Sequence, residues 1–364
     1  MIDSKILNTD KDYSKRSNIL LGDERGLFDT VHNDFPEIWK LYKGMKALDW
    51  DANEFDYTSC ANDFQTCDPS TYRLMIKTLA FQWEADSVAA RTSPISGIFL
   101  TNDQAWAADQ RISDNEVVHA ETYSEIVRNS FKDPRVVMDE VAKIEESMQR
   151  LTTVSEVLSK SRNTALKYGL GLVENNQDTY NDAFMYYVAL LALERIQFMS
   201  SFAVTFTICD TGLFQPIGKA VQKIAKDELK IHVEYRKELL RAEMKTERGK
   251  TAFQQCYNKI CKLISEVDEG EDFFIDYLFE DGDELTGSSP ERLKAWKDWC
   301  VKDVYEFFDI KTDKVFPEKD PLPFLEKRWL KTGKTQVSPQ EETGAYQVNV
   351  TKRNDAGITF DCDF

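Results

Sequence analysis

The tract YYVALLALERIQF, residues 186–198, is apolar over almost its whole length and yet carries Glu194 in its interior. A carboxylate inside such text is costly to bury unless it is paired, protonated or bound to a metal. Any fold open to this chain must therefore bring Glu194 a partner. The same conflict recurs in three other tracts. Asp86 stands in LAFQWEADSVAA, Glu116 and His119 stand in NEVVHAE, and Asp227, Glu228 and His232 stand in KIAKDELKIH.

These tracts read as helices. Gly and Pro number only 15 and 10 in 364 residues, and helix interiors tolerate both poorly, so long stretches without them favour helix. FPEIWKLYKGMKALDW places Ile38, Trp39, Tyr42, Met45 and Leu48 near helical spacing. Long helices are expected from about Pro69 to Ser93, ended by Ser-Pro, and from about Asn102 to the breaker Asp133-Pro134. Further helical tracts cover about 134–175 and 178–208. Beyond a loop at Gly212–Pro216 come another long helix and two more over 251–280 and 289–308. No repeat and no strand run stands out. Residues 1–30 read as a polar N-terminal arm, 31–332 as one all-α domain, and 333–364, polar and without an apolar stripe, as a flexible tail.

The formal net charge of −17 repels phosphate backbones, so nucleic acid is not an expected partner. No apolar run approaching the roughly 20 residues of a membrane span is apparent, and MIDSKILNTDKDYSKRSN lacks the apolar segment of a secretory signal. A cytoplasmic location without a membrane partner is the expectation. Seven cysteines, an odd count without a CxxC, signal neither a disulfide framework nor a zinc site.

Residues three or four apart share a helix face, so Glu116 with His119, and Glu228 with His232, can each point a pair inward. Two such pairs, with one carboxylate from each of two more helices, make the ligand set of di-iron and di-manganese bundles. Oxygen and imidazole donors suit both metals, and no thiolate is needed. One ExxH motif alone fits a solvated helix face equally well. The histidine census favours metal, because two of only three histidines fall in these motifs and the third, His32, lies in an irregular N-terminal segment. Tyr123 lies one turn beyond His119 on the same face. It is either plain core or, beside an oxygen-activating metal pair, a group poised for one-electron oxidation.

The succession LAFQWEADSVAARTSP, NEVVHAETYSEIVRNSFKDP, LALERIQFMSSFAVTF and IAKDELKIH resembles the small subunit of class I ribonucleotide reductase, nearest the class Ia form of bacteria and their viruses. Similarity runs from about Phe35 to the C-terminus, through DYLFEDG, PLPF and TQVSPQE. The resemblance implies a ferritin-like helical bundle with a di-metal carboxylate site. Asp86, Glu116 and His119 would hold one metal, and Glu194, Glu228 and His232 the other, as two iron ions with manganese possible. Tyr123 falls on the position of a stored tyrosyl radical formed with O2. Phe198, Phe202 and Ile224 fall on the apolar pocket around it. Trp50 matches the tryptophan that passes an electron toward the metals, and Asp227 the carboxylate joining that tryptophan to the first histidine.

In the tail, Tyr346 matches the tyrosine that relays the radical between subunits, and Glu341 its acidic neighbour, one residue closer than usual. The ending GITFDCDF resembles the peptide with which such subunits dock on the large catalytic subunit. A homodimer is also implied, serving the reduction of ribonucleotides to deoxyribonucleotides. Another ferritin-like oxidase, such as a fatty-acyl desaturase or a ligand-binding relative, would need none of Trp50, Tyr346 and the acidic aromatic tail. A storage or structural bundle would form no radical. One departure stands out: the family's Asp-Glu-x-x-His is here Asp227-Glu228-Leu-Lys-Ile-His232. A gap of four still shares a face, and a one-residue helical bulge would restore the usual geometry.

Overall fold

The computed structural model describes residues 15–23 and 26–331. Helices carry the architecture, and among the described residues the extended pairing is limited to an isolated antiparallel bridge between Leu20 and Leu100. In chain order the helices are α1 (Pro36–Ala47), α2 (Cys60–Thr66), α3 (Pro69–Ser96), α4 (Asp103–Ser130), α5 (Pro134–Val141) and α6 (Glu145–Gly169). Next comes a continuous run of α7 (Gln177–Ala192), a π turn (Leu193–Gln197) and α8 (Phe198–Cys209). A second run joins α9 (Gln215–Asp227), a π turn (Glu228–His232) and α10 (Val233–Glu243). The helices α11 (Glu247–Leu278) and α12 (Pro290–Phe307) close the body.

The starts of the long helices are written in the sequence. Asp68 caps α3 by accepting from the Thr71 amide, with Pro69 at the first helical position, and Asn102 caps α4 through the Ala105 amide. At the far end of α3 the expected Ser-Pro stop does not operate. The helix runs through Pro94 to Ser96. Pro94 costs the helix its own i−4 hydrogen bond, and the hydroxyls of Thr92 and Ser96 bond back to the Val88 and Thr92 carbonyls around it. The tract 134–175 is likewise two helices rather than one, α5 and α6, separated at Ala142–Ile144.

At the centre lies Gln177–Cys209. By length and composition this 33-residue run would pass for a membrane span, but its most apolar window is 94% buried inside the protein. It is the core helix against which α6, α10 and α11 pack, while α3 lies along α4, α6 and α8. Burying so apolar a helix on all sides is a principal source of the fold's hydrophobic stabilisation.

Two features tie the ends of the described body. Ile19, Leu20 and Leu21 are buried, with the Leu21 amide donating to Phe99 O and the Thr101 amide to Ile19 O, both at 2.8 Å. Near the other end Trp329 stacks on Phe206 of α8, ring centroids 4.9 Å apart.

Candidate metal centre

α3 supplies Asp86, α4 supplies Glu116 and His119, the π turn between α7 and α8 supplies Glu194, and the π turn between α9 and α10 supplies Glu228 and His232. All six side chains are buried. They form two overlapping clusters, Asp86–Glu116–His119–Glu228 and Glu116–Glu194–Glu228–His232, and within each the potential ligand atoms lie within 4.8 Å of one another. Glu116 and Glu228 belong to both.

The π turns explain how the sequence reaches this geometry. A π turn accommodates one extra residue, so the four-residue gap from Glu228 to His232 still brings both to one point. His232 Nδ1 lies 3.1 Å from Glu228 Oε1 and 3.4 Å from Glu116 Oε1, and His119 Nδ1 lies 3.2 Å from Glu228 Oε1. The turn holding Glu194 is braced from outside. The fully buried Arg150 of α6 donates to the carbonyl of Gln197, and Gln197 Nε2 donates to Arg150 O at 2.6 Å. Glu271 of α11 pairs with the same guanidinium, which lies between the rings of Phe81 and Phe274 at 3.5 and 3.9 Å from their centroids.

Electrostatics make the cluster demand positive charge. Burial, then the neighbouring Glu116, pushes Asp86 well above the ordinary carboxylate range. Burial lifts Glu194 to about 8 even with Arg236 against it. Burial would also raise Glu116, but the imidazoles of His119 and His232 beside it hold it below the usual range. For His119, burial opposes protonation, and Asp227, Glu116 and Glu228 together outweigh it.

Whether these residues fit metal ions can be tested on their polar atoms. Both oxygens of Asp86 and of Glu228, Oε2 of Glu116 and of Glu194, and Nδ1 of both histidines are buried without a hydrogen-bond partner. Native proteins rarely leave such atoms unsatisfied. Here they converge, and four carboxylates with two imidazoles are a donor set suited to iron or manganese.

The imidazole nitrogens facing away from the cluster are held. Asp227 Oδ2 accepts from Trp50 Nε1 at 2.7 Å and lies 3.3 Å from His119 Nε2, with the Trp50 and His119 ring planes 25° apart. Asn115, which the motif reading passed over, donates to the same Asp227 oxygen at 3.2 Å and lies 3.0 Å from His232 Nε2 through its own carbonyl. One amide thus ties the outer supports of both histidines together. Fixing a histidine's tautomer and orientation in this way is characteristic of metal ligation. Arg236 and Asp109 also went unread: Arg236 Nε donates to Glu194 Oε1 at 3.1 Å, and its Nη1 donates to Asp109 Oδ1 at 2.9 Å. A signal existed, since Arg236 falls one turn after His232, but EYRKELLRAE reads as a solvated helix face.

Tyr123 is buried and its hydroxyl has no hydrogen-bond partner. Burial first, then the Asp86 and Glu228 carboxylates, pushes its phenol well above the ordinary range. Phe198, Phe202 and Ile224 are buried, with the first two stacked at 5.5 Å. Tyr346 and Glu341 lie outside the described residues.

Such a fold and site define a ferritin-like helical protein with a paired-carboxylate centre. The chain belongs to the family described as "Ribonucleotide reductase, small chain", which matches residues 28–321, and it is accordingly an oxidoreductase subunit, the small subunit of a ribonucleoside-diphosphate reductase. It is 24% identical over 328 residues to the ribonucleoside-diphosphate reductase 1 subunit beta of Salmonella typhimurium, covering 85% of each chain. To the corresponding beta subunit of Enterobacteria phage T4 it is 25% identical over 348 residues, covering 87% of each. Among solved structures, the ribonucleotide reductase R2 subunit of Clostridium botulinum superposes with a TM-score of 0.74 at 15% identity, over 90% of this chain and 98% of that one. The dimanganese(II) NrdF of Streptococcus sanguinis gives 0.61 at 12% identity, over 80% and 93%.

Proposed function

We propose that the six clustered residues hold two iron ions and that this centre, with O2, makes and stores a radical on Tyr123 for a large catalytic subunit. The observation that carries the reading is the pair of overlapping clusters, sharing Glu116 and Glu228, beside a buried tyrosine whose hydroxyl has no partner. Asp86, Glu116, His119 and Glu228 bind one ion, and Glu116, Glu194, Glu228 and His232 the other. Manganese is the alternative that the same donors accept. The bound metal pair supplies a one-electron oxidant.

The chain's own residues do the rest. Tyr123 gives up one electron together with its hydroxyl proton, and the buried carboxylates of the centre are the groups at hand to take that proton. Phe198, Phe202 and Ile224 keep water and reductants from the oxidised phenol. When Trp50 gives up an electron, its Nε1 proton has an acceptor 2.7 Å away in Asp227 Oδ2, and Asp227 in turn meets His119. Tyr346, with Glu341 beside it, carries the radical onward, and the terminal GITFDCDF docks on the large subunit as an aromatic and acidic anchor. The working unit is a cytoplasmic homodimer, each chain divided into an arm (1–30), the metal-binding domain (31–332) and the docking tail (333–364).

The test is to load the full chain with ferrous iron, admit oxygen and record the electron paramagnetic resonance spectrum beside Tyr123→Phe. A tyrosyl signal in the parent that is missing from the variant is expected. Two irons bound without a signal, followed by a signal after manganese loading, would reassign the metal. No metal bound under either loading would overturn the reading.

A further inference from the structure

The two clusters differ in how their terminal carboxylates are held. Both oxygens of Asp86 are without a hydrogen-bond partner. Glu194 has only Oε2 in that state, because its Oε1 accepts from Arg236 Nε. Arg236 has no exposed surface and is anchored at its other edge by Asp109, with the rings of Tyr235 and Tyr187 at 5.1 and 5.7 Å from the guanidinium carbon. Asp109 is on α4, two turns before Glu116, so the clamp is built from the same helices as the centre.

We propose that Arg236, held by Asp109, is a positioning residue that restricts Glu194 to one coordinating oxygen and thereby makes the two metal positions unequal. This rests on the reading of the six residues as metal ligands. A carboxylate oxygen that already accepts a charge-assisted bond is a poorer donor to a metal, because its electron density is shared with the guanidinium. The planar fork of Arg236 bonds Glu194 through Nε and Asp109 through Nη1, so neither carboxylate can turn without breaking a buried ion pair. Asp86 carries no such restraint and can offer both oxygens. The metal position at Glu194 is therefore the one of lower coordination number and keeps room for a further ligand.

Cobalt(II) titration of the full chain tests this, because cobalt absorbs visible light more strongly at low than at high coordination number. The double variant Arg236→Gln with Asp109→Asn removes the clamp and neutralises Asp109 together with Arg236, so that Glu194 alone is left to the bound metal. The expected result is two cobalt ions bound by both proteins, with a loss of visible absorption at two equivalents in the variant as Glu194 turns to chelate. An unchanged spectrum with two ions bound would overturn the inference and leave the metal centre standing. Failure of the parent protein to bind cobalt would sink the metal centre, and the inference with it. Should the double variant not fold, Arg236→Lys keeps the charge without the planar fork, and the same loss in smaller degree is expected; an unchanged spectrum there also overturns the claim.

Discussion

Asp86, Glu116 and His119 ride on unbroken α-helices, whereas Glu194, Glu228 and His232 ride on π turns. On the first side, the ordinary three-residue spacing delivers Glu116 and His119 to one point, and the backbone needs no help. On the second, the helix is widened by one residue at two places, and buried polar links brace the result. Arg150 bonds the carbonyl of Gln197 within one turn, and Arg236 bonds the carboxylate which that turn presents. A ligand on a regular helix is placed by local geometry. A ligand on a π turn depends on tertiary contacts drawn from α6, α10 and α11, so the second side is where distant substitutions will be felt.

Three experiments would break or sharpen this contrast. The largest effect is expected from Glu228→Ala, which removes a residue common to both clusters, so that metal analysis should find both ions lost. Asp86→Ala should lose the ion on its own side and spare the other. Equal losses from the two variants would show that the clusters do not share ligands as the geometry has it. Next comes Arg150→Met. It strands Glu271 as a buried unpaired charge and unties the Glu194 turn, a change that typically costs about 3–5 kcal/mol, to be read from denaturant unfolding. A cost under about 1 kcal/mol, the worth of a surface pair, would mean that the brace does not hold the turn. The smallest effect is expected from deleting Lys230, which is exposed in the second π turn. Removing one residue should turn that segment into plain α-helix while Glu228 and the histidine stay on one face, now three apart. Metal content should remain at two ions; loss of the ion at His232 would show that the turn does more than absorb an insertion.

The same contrast explains what could be read from the sequence. Asp86, Glu116 and His119 follow from helical spacing in apolar text, and the helix order was legible because few Gly and Pro interrupt it. The extra residue between Glu228 and His232 also announced the second π turn. Nothing announced the first: LALERIQF reads as uninterrupted α-helix, and its bulge depends on contacts with Arg150, 47 residues away. Arg150, Arg236, Asp109 and Asn115 escaped for a related reason. Charged and amide side chains on helices are usually solvated, and only the packed structure shows these ones facing inward. Pro94 misled in the opposite direction: it reads as a stop, yet the buried last turn of α3, with Ser93 and Ser96 packed inward, carries the helix past it.

The N-terminal contact has a consequence for how the chain is made. The amides and carbonyls around Ile19–Leu21 pair with residues 99 and 101, and the Leu20 amide also meets Glu243 Oε1 at 3.4 Å, 223 positions further along the chain. Synthesis runs from the N-terminus, and distant partners are slow to meet. The pairs with residues 99 and 101 can form early, but the contact of the Leu20 amide with Glu243 cannot close until residue 243 has been made. The strip is thus fixed in two stages, the second joining the start of the described body to the last residue of α10.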